Sequence, residues 1–92
     1  MIVAMHLDIF GNVQGVGFRF FVTRCARRQG LRGWVRNRQD GSVEALLIGE
    51  EAAVATVTEQ CRRGPPQGRV DRLDAAPAPD DGSTDFTERA TV

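Results

Sequence analysis

Apolar and polar positions alternate at the start of the chain: Val3, Met5, Leu7 and Ile9 are interleaved with Ala4, His6 and Asp8. That period of two marks a strand with one buried face. After the glycines of "GNVQGVG" the period changes. Phe18, Phe21, Val22, Cys25 and Ala26 recur at helical spacing as one apolar stripe, with Arg27 and Arg28 near the end and Gly30 as a stop. A helix is therefore expected over about 18–29. "LRGWVRNR" and "SVEALLIG" then flank "QDG", where Asp40-Gly41 favours the positive φ of a tight turn. These read as two antiparallel strands.

A second helix is marked at both ends, by Glu50 and Glu51 in its first turn and by Arg62, Arg63, Gly64 and the Pro65-Pro66 pair at its close. Val54, Val57 and Cys61 give it one buried face. Residues 69–75 and 84–89 alternate more weakly and read as strands, and the low-complexity stretch "DAAPAPDDGS" at 74–83 reads as a connector before the last one. The expected order is β-α-β-β-α-β, with room for one extra strand in the second half. This is the α+β, ferredoxin-like sandwich, an antiparallel sheet with two helices on one face. The fold hosts many functions and decides none of them.

With 92 residues, one domain spanning 1–92 is expected. Twelve arginines balance twelve acidic residues and there is no lysine, so a nucleic-acid partner is not expected. "MIVAMHLDIF" has no basic leader, and its apolar residues are broken by His6 and Asp8. No stretch reaches the ~18 apolar residues of a membrane span. A soluble, cytoplasmic protein with no membrane partner is expected. One histidine and two cysteines without C-x-x-C spacing leave a metal site short of ligands. Cys25 and Cys61 read as reduced core residues, and His6, opposite the apolar face of its strand, reads as a solvated strand histidine.

The glycine loop carries the candidate chemistry. Between a strand and a helix start, such a loop turns successive backbone N–H groups into one concavity, and the helix dipole adds to it. A phosphate-sized oxyanion fits. The nucleotide loops do not: G-x-x-x-x-G-K-[ST] lacks its Lys-Ser/Thr pair, and G-x-G-x-x-G begun at Gly15 meets Phe20 at its third glycine. Arg19 stands in the first turn off the apolar stripe, where a guanidinium can fork onto an anion. By themselves these residues are better described as a plain strand-to-helix turn followed by a surface arginine than as an anion site. Asn37 shares a strand face with Leu31, Gly33 and Val35. It either points to the helix side near the glycine loop or serves the hairpin beside Asp40-Gly41.

"GNVQGVGFR" followed by "GWVRN" resembles the paired signature of the acylphosphatase family. The resemblance covers essentially the whole chain: length, element order, the acidic start of the second helix, and "FTER" at 86–89, which is similar to the family's closing F-x-x-R. It implies an enzyme that hydrolyses the carboxyl–phosphate bond of small acyl phosphates, with no cofactor and no metal. Arg19 falls on the family's phosphate-binding arginine and Asn37 on its water-orienting asparagine. Gln14, Gly15, Val16, Gly17 and Phe18 form the phosphate cradle together with Arg19. Inorganic phosphate is then product and inhibitor, and the protein is expected to be a monomer. A carboxylate leaving group with a pKa near ~4 needs no general acid, which fits a site without histidine or paired carboxylates. Whether attack falls on phosphorus or on the carbonyl carbon is left open.

Glu88 departs from the pattern, standing where the family usually has an apolar residue, so the last strand is expected to be short or weakly paired. Two other readings remain. A similar loop occurs in the amino-terminal domain of the large hydrogenase-maturation carbamoyltransferases, which implies carbamoyl phosphate, although proline often follows the arginine there and Phe20 does here. A non-catalytic phosphate- or RNA-binding sandwich would need exposed aromatics and a basic face. Trp34, on the strand face opposite Asn37, is the sole candidate for that.

Overall fold

Leu7 and Ile9 are fully buried, while His6 and Asp8 keep part of their surface, so the alternation at the amino end is the two sides of one strand. In the computed structural model, which describes residues 1–92, that strand is β1 (Ile2–Asn12). It is followed by α1 (Phe18–Arg28), β2 (Arg32–Asn37), β3 (Val43–Glu50), α2 (Glu51–Arg63), β4 (Arg69–Pro77) and β5 (Phe86–Glu88). The sheet order is β4-β1-β3-β2-β5. β1 pairs antiparallel with β3 and β4, and β2 pairs antiparallel with β3, which is the ferredoxin-like arrangement. β5 lies parallel to β2, with Gly33 opposite Phe86 and Val35 opposite Glu88. The sheet is thus mixed, where a wholly antiparallel one was expected. β5 is three residues long, and of these only Phe86 is buried.

Both helices lie over one face. Val22 and Ala26 of α1 and Val54, Val57 and Cys61 of α2 close one core with Leu7, Ile9, Val35 and Leu47 of the sheet. Each of the valine, leucine and isoleucine side chains among them contributes roughly 1.5–3 kcal/mol on full burial. On the opposite face Trp34 packs with Leu46 and Ile48 and is covered in turn by Ala78. The guanidinium groups of Arg36 and Arg89 stand 4.6 and 5.0 Å from its ring centre, and its Nε1 donates to Asp81 at 3.0 Å. Trp34, the sheet aromatic expected as a base-stacking platform, is therefore buried, at 7% exposure.

Three boundaries differ from expectation. β1 continues past Ile9 through a register shift at Phe10/Gly11, which a simple alternation does not reveal. β4 runs into the low-complexity stretch, where Asp74 to Pro77 pair with Asp8 to Met5; as an edge strand it tolerates the terminal proline. The β2–β3 connection is wider than a two-residue turn. Arg38 N donates to Ser42 O at 2.9 Å, and Asp40 has no positive φ; its carboxylate instead accepts from the backbone N and Oγ of Ser42.

Candidate active site

Gly15 and Gly17 have φ of 74° and 77°, and Val16 between them is negative. A Cβ at either glycine would meet nothing within 4 Å, so backbone conformation and not space demands glycine here. Alternating φ signs of this kind form a nest, in which consecutive N–H groups point into one concavity. α1 begins directly after it, with Gly17 as N-cap, no side-chain cap and no acidic residue in the first turn. The first main-chain bond into the helix is Phe21 N to Gly17 O at 3.0 Å, and the amides of residues 15–20 have no protein acceptor. These are the donors that a helix start presents to an anion.

A cavity of about 180 Å³ lies at this point. Gly15, Gly17 and Arg19 line it from the loop and helix, and Asn37 and Glu88 line it from β2 and β5. Phe18 also contributes, and its ring is almost wholly buried against Phe21, which anchors the helix start to the core. Thr23 Oγ1 donates to Arg19 O at 2.8 Å within the same turn. Asn37 is the last paired residue of β2, and its carbonyl accepts from Val92 N at 3.2 Å while Gln39 N donates to Val92 O at 2.7 Å.

The other two cradle residues are placed differently. Val16 packs against the core and lines a neighbouring groove. Gln14 turns its side chain away, and its Nε2 donates to Arg38 O at 2.7 Å and to Ser42 O at 2.8 Å. It thereby ties the glycine loop to the hairpin that follows Asn37. No pattern in the sequence signals this brace, because it joins residues 24 and 28 positions apart.

The outer face of the sheet holds a second cluster that sequence reasoning missed. His6 was expected in solvent, yet it is half-buried with Nε2 at 2.6 Å from Glu44 Oε2. Arg36 Nε and Arg38 Nη2 reach Glu44 at 2.7 and 2.8 Å, and Arg38 also pairs with Asp8. Burial works against the charged form of Glu44, but hydrogen bonds from Arg38, His6 and Arg36 outweigh it and hold the carboxyl down at about 2. His6, Asp8 and Glu44 bring three ligand atoms within 4.8 Å of one another, but the two guanidinium groups in the same cluster oppose a cation. Cys25 and Cys61 are buried and unpaired; burial raises both thiols, that of Cys61 to about 12, and neither lines the cavity. The largest groove, about 430 Å³ between β1 and α2, offers Glu51 and Glu59 and no cationic side chain, so it repels an anion.

The family described as Acylphosphatase matches residues 5–88. An acylphosphatase of Acidovorax sp. (strain JS42) is 48% identical over 90 residues, covering 98% of this chain and 93% of that one. The solved structure of an acylphosphatase from Coxiella burnetii matches with a TM-score of 0.92 at 34% identity, over 96% of this chain and 93% of that one. The crystal structure of full-length HypF in the phosphate- and nucleotide-bound form matches with a TM-score of 0.91 at 29% identity. That match covers 99% of this chain and 12% of the HypF chain.

Proposed function

The chain belongs to the acylphosphatase family and is an enzyme that hydrolyses acyl phosphates to a carboxylate and inorganic phosphate, and we propose that it does so in the cavity at the start of α1. The amides of residues 15–19 and the forked guanidinium of Arg19 bind the phosphoryl oxygens and neutralise the charge that builds on them. Asn37 holds a water on the sheet side of the phosphorus. The water oxygen attacks phosphorus, the bond from phosphorus to the carboxyl oxygen breaks, and its electron pair leaves with the carboxylate. The water's proton passes to a phosphoryl oxygen. The leaving group, with a pKa near ~4, departs without protonation.

One observation carries this reading: the amides without protein acceptors and the guanidinium of Arg19 meet Asn37 on the same small cavity. Residues 1–92 act as one domain and as a monomer, with no cofactor. No helix is long and apolar enough to cross a membrane, and two unpaired thiols suit the reducing cytoplasm in which we place the enzyme. Inorganic phosphate, as product, competes for the cradle. The test is hydrolysis of benzoyl phosphate without added metal, with inorganic phosphate as inhibitor. Competitive inhibition is expected; non-competitive inhibition would put the phosphate elsewhere and remove the cradle.

A further inference from the structure

The phosphoryl cavity is small. At about 180 Å³ it falls below the ~300 Å³ at which clefts begin to hold whole organic ligands, so the acyl group of the substrate lies outside it. The direction in which it leaves follows from the displacement, because attacking and departing oxygens lie roughly in line across the phosphorus. With the water held from Asn37 on β2, the leaving oxygen points away from the sheet, toward the loop-and-helix side of the cavity, to which Gly17 and Phe20 belong. That side is shared. Gly17 and Phe20 also line a second groove, of about 340 Å³, which runs between the start of α1 and the Pro65-Pro66 bend after α2.

Phe20 is the unexplained residue on this side. It is 59% exposed, and the other large exposed hydrophobic residues, Met1, Ile2 and Val92, lie at the two ends of the chain. Arg24, one turn further along α1, stands with its guanidinium 5.6 Å from the Phe20 ring centre. Val16, Phe21, Pro65 and Pro66 complete an apolar surface beside it.

On the basis of the phosphoryl site proposed above, we propose that this groove is the acyl subsite, with Phe20 as its platform, and that Phe20 sets how strongly a flat, apolar acyl group of aromatic size is favoured over a small one. The aromatic acyl group stacks on or beside the Phe20 ring against the proline bend, which removes from water the apolar surface that the free enzyme exposes.

The experiment compares benzoyl phosphate with acetyl phosphate on the wild-type protein, on Phe20→Ala and on Phe20→Leu, with inorganic phosphate as inhibitor throughout. Wild type is expected to favour benzoyl phosphate in kcat/KM. In Phe20→Ala the ratio of benzoyl to acetyl kcat/KM is expected to fall about tenfold, mainly through KM, and Phe20→Leu should recover part of the loss. The inhibition constant for phosphate, which touches no acyl surface, should stay within about twofold. If both substrates lose equally, or if the ratio does not move, the acyl subsite is not here. If wild type hydrolyses neither substrate, the phosphoryl site itself is wrong and this subsite falls with it.

Discussion

On the outer face of the sheet, Arg36 and Arg38 are committed to Glu44 and Asp8, with His6 closing the cluster; on the helix face, Arg19 borders a cavity of unbonded amides and forms no ion pair with Glu88, the carboxylate that lines the same cavity. The two settings use the same side chain for different ends. A guanidinium whose forked donors already meet carboxylates holds strands together and has little left for a ligand. One that stands among free N–H groups makes a site whose anion must come from outside. Arg28 and Arg63 also form no ion pair, so what sets Arg19 apart is the cavity of free amides beside it.

The hardest test of that contrast is Arg19→Lys beside Arg19→Gln. A lysine keeps the charge and loses the planar fork, so if the fork is what matters both variants should lose about 10²–10³ in kcat/KM, roughly 3 to 4 kcal/mol. Melting temperatures should stay within a few degrees of wild type, since the buried stripe of α1 does the packing. Retention of more than about a tenth of the activity by Arg19→Lys would reduce Arg19 to a generic charge.

Glu44→Gln should do the reverse, leaving turnover within a few-fold and costing stability. The folded carboxyl titrates near 2 in place of its ordinary 4.5, so its contribution is complete above about 4.5 and fades as pH falls toward 2. That difference corresponds to roughly 3 kcal/mol, enough to lower the melting temperature at neutral pH by about ten degrees or more in a domain of this size. Melting curves between pH 7 and 2 should converge for wild type and variant at the acid end. Parallel curves would mean that the ionised form of Glu44 is not what stabilises the fold.

A slightly smaller effect, and a narrower one, is expected of Asn37→Ala. If Asn37 holds the attacking water, the change removes that contact and no charge, so kcat should fall about 10²-fold while the inhibition constant for phosphate moves only a few-fold. Unimpaired turnover would return Asn37 to the hairpin, and a matching loss of phosphate affinity would make it part of the cradle.

Local signals in the chain carried much of this. Gly15, Gly17 and Arg19 are neighbours in sequence, and a strand that breaks into glycines before a helical stripe is visible in any linear reading. Asn37 was legible one step further on, through its parity with Leu31 and Val35, both of which are buried in the core beneath the helices. What stayed hidden depends on residues brought together from distant elements. His6, Asp8, Arg36 and Glu44 come from three strands whose neighbours are fixed only by sheet order, and Arg38 from the connection between two of them. Gln14 looked like part of the cradle because it sits inside the motif, and its side chain goes elsewhere because the hairpin carbonyls of Arg38 and Ser42 are within reach. The parallel β5 escaped for a related reason: a three-residue strand with one buried position has almost no period to read.

The hydrogen bonds that join Val92 to Asn37 and Gln39 decide where the protein can be handled. Anything appended after Val92 begins next to the hairpin that presents Asn37, and a tag or immobilisation linker there pulls on the site. Met1 lies at the other end of β1, an 11-residue strand, which is about 30 Å away at ~3.3 Å per residue. Its ammonium group is tied to Glu50 at 2.8 Å, and its carbonyl accepts from Glu51 N at 3.0 Å. An affinity handle, a fluorophore or a surface anchor belongs at that end, where it disturbs one exposed ion pair and leaves the cavity untouched.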